Sequence, residues 1–109
     1  MSALKVTTLL DNDTVDETSE SMTPLNGSKN FIVYVEWGNG VSAGVVEVET
    51  APYKGYTGTW NSLTTFTYAS GSPTVESYRA TGPFGAIQTR ISTAITTTDK
   101  GVTTRVHEN

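Results

Sequence analysis

The sequence predicts an all-β fold: a single antiparallel β-sandwich of seven to eight short strands, jelly-roll or immunoglobulin-like. Three observations carry this. Thr fills roughly one position in five while Leu and Ala are scarce, and a β-branched side chain suits a pleated, half-wet surface better than a helix. Apolar and polar residues alternate with period two, most clearly Ile87, Thr89 and Ile91 against Gln88, Arg90 and Ser92. Turn residues recur every 8–12 positions, the spacing of a sandwich, and no stretch has a convincing helical period.

Taken in order, Leu4–Leu10 reads as a first strand, with Leu4, Val6 and Leu10 separated by Thr. Asp11–Ser21 follows with five acids and almost nothing apolar, which reads as an exposed loop or arm within residues 11–30. Pro24 and Asn26-Gly27 are turn chemistry. Phe31–Trp37 is the most β-prone run and is apolar on both faces: Phe31, Val33, Val35 and Trp37 on one, Ile32 and Tyr34 on the other. A central strand covered on both sides accounts for it. Gly38-Asn39-Gly40 ends the run, and Val41–Thr50 returns with Val46 and Val48 inward and Glu47 and Glu49 outward, the reading of a hairpin.

Ala51–Thr59 is a loop dense in Pro, Gly and aromatics. Trp60 opens a strand with Phe66 and Tyr68 on one face and Leu63 and Thr65 on the other. Ser70–Pro73 turns the chain into the short strand Val75–Ala80, and Gly82-Pro83-Phe84-Gly85 makes a rigid corner before the strand of Ile87 and Ile91. Thr96–Lys100 reads as a hairpin loop. The last strand then places Val102, Thr104 and Val106 inward and Thr103, Arg105 and His107 outward. No internal repeat or boundary divides the 109 residues, so one domain over residues 1–109 is expected.

Composition excludes several classes of function. There is no Cys, hence no disulfide or thiolate chemistry. The net charge of −4 disfavours nucleic acid, whose recognition rests on neutralising phosphates. No run approaches the roughly 20 apolar residues that span a bilayer. Met1–Lys5 lacks a basic segment before an apolar run, so no signal peptide is expected.

No constellation supports catalysis or a cofactor. Asp11-Asn12-Asp13 suggests a calcium loop but lacks the Gly at the sixth position and the Glu at the twelfth. His107, the sole His, sits near the chain end on an outward face and reads as solvated. Glu47 and Glu49 have roughly the spacing of a glycosidase pair but read as an ordinary polar face. The chain is therefore expected not to be an enzyme and to hold no metal. Tyr53, Tyr56 and Trp60 form a loop cluster that suits core packing, a protein interface or stacking on sugar rings. With Ile32 and Tyr34 they make up the candidate interface.

Thr59-Trp60 after a Gly-rich turn, the strand Gly85-Ala86-Ile87-Gln88-Thr89-Arg90-Ile91-Ser92 behind its corner, and the final Gly101-Val102-Thr103-Thr104-Arg105-Val106 together resemble small β-sandwich proteins of tailed-phage particles. The resemblance covers roughly residues 58–107, and Gln88 stands where an Arg is common, which makes the outward face less basic. It implies a virion structural protein, above all a capsid decoration or cement protein seated as a homotrimer on the capsid surface against the major capsid protein. A tail- or fibre-associated virion protein is its neighbour. A carbohydrate-binding module is the rival from another class, and it requires Tyr53, Tyr56 and Trp60 in a flat exposed platform.

Overall fold

The computed structural model of the chain describes residues 5–15, 30–53, 55–69, 74–81 and 85–108. These form seven antiparallel strands and no helix: β1 (Lys5–Asp13), β2 (Asn30–Trp37), β3 (Val41–Ala51), β4 (Asn61–Tyr68), β5 (Val75–Thr81), β6 (Ala86–Thr97) and β7 (Val102–Glu108). A four-stranded sheet in the order β1-β7-β2-β5 faces a three-stranded sheet in the order β4-β3-β6. The fold is the all-β sandwich that the sequence predicts. Its strand order is that of a jelly roll rather than an immunoglobulin sandwich. The expected turns around Pro24 and Asn26-Gly27, the turn Ser70–Pro73, the corner residues Gly82, Pro83 and Phe84, and most of the acidic arm lie outside the described residues.

The period-two patterns translate directly into a core. Phe31, Val33 and Val35 of β2, Val46 and Val48 of β3, Ile87 and Ile91 of β6, and Val102 and Val106 of β7 are all fully buried. Each such side chain contributes about 1.5–3 kcal/mol by leaving water. Their odd or even partners Ile32, Tyr34, Gln88, Arg90, Arg105 and His107 remain half-exposed on the outer faces.

Neither expected hairpin is one. β2 and β3 belong to different sheets, and so do β6 and β7. Each pair is instead joined by a bend that carries the chain from one sheet to the other, and the two bends hydrogen-bond to each other. Gly38 N–H donates to the Gly101 carbonyl (2.9 Å), Lys100 N–H to that of Asn39 (3.0 Å) and Thr98 N–H to that of Gly40 (3.2 Å). The sequence signature of a tight turn serves equally for this corner, because both need Gly where backbones approach. At Gly101 the reason is concrete: a Cβ there would run into the Asp13 carbonyl. The neighbouring columns follow the same bend. Thr74, just before β5, accepts the Trp37 N–H (2.8 Å), and Thr14, just after β1, accepts that of Ile95 in β6 (2.8 Å).

Two further expectations change. Asp11–Asp13 is not loop but the end of β1. Asn12 takes a left-handed φ of 56°, which Asn tolerates. Its side chain accepts the Gly101 N–H (2.7 Å), while its own N–H donates to the Thr103 hydroxyl (3.1 Å). Polar side chains thus do the pairing that composition alone assigned to solvent. The alternation puts Leu63 on the face opposite Phe66, yet it packs on the same core. The β3–β4 register slips by one residue there, with Val48 opposite Thr64 and Glu49 opposite Ser62, and a bulge of this kind re-aims a side chain.

Candidate interface

The two outer faces of the sandwich differ in chemistry. On the three-stranded sheet, Arg90 donates to Glu47 (2.7 Å) and lies 3.4 Å from the Glu49 carboxylate, which also accepts from Gln88 (3.0 Å). The Glu47–Glu49 pair is therefore bound up in one polar network. Glu49 is outward by register yet buried beneath these partners. Gln88 serves as a second donor to the same carboxylate.

The outer face of the four-stranded sheet is half apolar. Register puts Val6, His107, Ile32 and Arg79 in one row across β1, β7, β2 and β5, and Thr8, Arg105, Tyr34 and Ser77 in the next. Glu36 and Val75 follow. Arg105 reaches diagonally to the Glu36 carboxylate. Tyr34 leans the other way, onto His107, edge to face with ring centroids 4.7 Å apart. Val6 (47%) and Val75 (49%) are exposed at the two sides. Together Val6, Tyr34, Glu36, Val75, Arg105 and His107 line a shallow hollow of about 320 Å³.

Of the sequence-selected residues, Ile32 and Tyr34 lie on this face, while Val6, Val75, Arg105 and His107 are its additions. His107 is not a freely solvated end residue but half-buried against Tyr34. The signal for it was present in the outward set Thr103, Arg105 and His107. What the sequence does not carry is that β7 pairs with β2, a contact some seventy residues apart. Val6 faces outward beside His107, and past the register shift between Thr8 and Leu10 the chain turns Leu10 into the core, with Leu9 packed against it.

Tyr53, Tyr56 and Trp60 lie elsewhere, in the loop joining β3 to β4, at the end of the sandwich away from the bends. The Trp60 indole donates to the Tyr56 carbonyl (3.0 Å). The Tyr53 and Tyr56 rings stand perpendicular (88°, centroids 5.3 Å apart), and Tyr53 is the exposed one at 59%. This is a self-packed loop with one projecting ring, not a flat platform. The structure brings Ile32 together with Tyr34, and the three loop aromatics together with one another, but it does not join the two groups.

Among the described residues no group of three or more His, Cys, Asp or Glu side chains is placed to hold a metal ion. A second hollow, about 420 Å³, lies at the bend between Asp11, Asn12, Glu36, Lys100 and Thr103. The chain matches no protein-family model, no curated protein and no solved structure.

Proposed function

We propose that this chain is a structural protein of a tailed-phage particle, a decoration protein that docks on the outer capsid surface through the outer face of its four-stranded sheet. The observation that carries the reading is the contrast between the two outer faces. One is tied into a self-satisfied network of Arg90, Glu47, Glu49 and Gln88. The other presents Val6, Tyr34 and Val75 around a shallow hollow that the Arg105–Glu36 pair also lines, with Ile32 on the same face. Exposed apolar side chains gathered on one face, with an aromatic ring and an Arg among them, suit a protein interface. The partner is the major capsid protein, and the work is binding, with no chemical step.

Two further points support it. Jelly rolls recur among viral capsid domains, an analogy at the level of fold alone. The motif glycines that resemble phage sandwich proteins are also structurally used: a Cβ at Gly85 would meet the Pro52 carbonyl, as one at Gly101 would meet that of Asp13. The test is quantitative mass spectrometry of purified particles from the source of this sequence. A decoration role predicts copies in constant proportion to the major capsid protein. A few copies per particle would assign the chain to the tail, and none would remove it from the virion.

A further inference from the structure

A sheet edge invites another strand, and proteins blunt it with charges, bulges or inward-pointing acids. Three of the four edge strands here carry such devices. β1 has two register irregularities and the left-handed Asn12. β5 turns Glu76 inward, where the carboxylate accepts the Trp37 indole N–H (2.7 Å). β6 carries Arg90, and its far half is irregular against β3. β4, Asn-Ser-Leu-Thr-Thr-Phe-Thr-Tyr, is the one strand of the seven without a charged residue. Its single irregularity lies at Leu63, near its start, which leaves Thr64–Tyr68 regular. Among the described residues no strand pairs with its far side.

We propose that β4 is a self-pairing edge: two copies of this chain join antiparallel about Phe66, fusing their three-stranded sheets into one of six strands. The regular segment is bounded by the bulge at one end and the chain's departure at the other, so its two-fold centre is its midpoint. That register sets Thr65 opposite Thr67 of the second copy, Thr64 opposite its Tyr68, and Phe66 opposite its counterpart. Thr–Thr, β-branched–aromatic and aromatic–aromatic pairs are each favourable across strands. Thr65 and Thr67 are exposed, so the outer half of the seam is accessible.

Charge favours the same geometry. Each copy carries a net −4 and repels another. With β4 against β4, the Glu47 side chains of the two copies sit three strand spacings apart, roughly 14 Å, beyond the Debye length of about 8 Å at physiological salt. The contact rests on the β4 edge alone and is independent of the proposed docking face.

The experiment is sedimentation velocity of the full chain from micromolar to millimolar concentration. A reversible dimer is expected in the wild type and in Tyr34→Lys, and a folded monomer in the double variant Thr65→Lys/Thr67→Lys. A cross-linking measurement guards against a folding defect in that variant, using the absence of native Cys. Thr65→Cys chains mixed with Thr67→Cys chains should form disulfide dimers several times faster than either alone. The proposal is overturned if the wild type stays monomeric throughout, if Tyr34→Lys alone abolishes the dimer, if the folded double-lysine variant still dimerises, or if mixed and unmixed Cys chains cross-link at equal rates.

Discussion

The hydroxyls of Thr89 and Thr104 meet 2.8 Å apart in the middle of the core, one from each sheet, and both residues are fully buried. Thr104 also accepts the backbone N–H of Leu10 (3.0 Å). One side chain therefore links β1, β7 and β6 across the sandwich. Buried polar groups are tolerated when satisfied in this way, and they fix which side chain faces which.

Replacing Thr104 with Val keeps the shape and removes the hydroxyl, leaving the Leu10 N–H without its acceptor. An orphaned buried donor costs about 1–3 kcal/mol. Thermal denaturation followed by circular dichroism should show Thr104→Val less stable than wild type by that amount. An unchanged melting temperature would mean that the Leu10 N–H finds another partner.

Ile91 closes the regular half of β6, opposite Val46, and is fully buried. Ile91→Asp places a carboxylate in that core at a cost of several kcal/mol, against a total stability of about 5–15 kcal/mol. The variant should be largely unfolded or melt far below wild type. A melting temperature within a degree or two of wild type would contradict the observed face of β6.

Gly101 immediately precedes β7, where its backbone lies against the end of β1. A methyl group there meets the Asp13 carbonyl, a backbone atom that no rotamer change can move. Gly101→Ala should destabilise by about 1–3 kcal/mol, as overpacking does. Hydrogen exchange should show the loss concentrated in β1 and β7, and uniform exchange across the chain would argue against the cause.

Much of this fold was legible because period-two patterning is local. Faces were assigned correctly for Phe31–Trp37, for Ile87, Thr89 and Ile91, and for Val102, Thr104 and Val106, each from a few adjacent residues. What failed is what pairs with what. Gly38-Asn39-Gly40 and Thr96–Lys100 carry turn chemistry whether the chain folds back on itself or bends into the opposite sheet. Only the long-range pairing of β2 with β7 and β3 with β6 decides between them. Single-residue slips at Leu9 and Leu63 invert the alternation without any change in residue type. The candidate interface divides along the same line. Ile32 and Tyr34 were visible as surplus apolar residues on one strand, whereas Val6, Val75 and His107 join them only through neighbours brought from elsewhere in the chain.

The proposed docking surface is the outer face of the four-stranded sheet, and Tyr34 stands at its middle, in contact with His107. The most direct measurement is particle occupancy of Tyr34→Lys, purified and added to shells that lack the chain, with its circular dichroism recorded in parallel. The account predicts a wild-type β-sheet spectrum together with occupancy reduced severalfold or more, since Lys replaces a central aromatic contact of the kind that dominates interface energetics. Wild-type occupancy by a folded Tyr34→Lys chain would contradict it and place the docking surface elsewhere on the molecule.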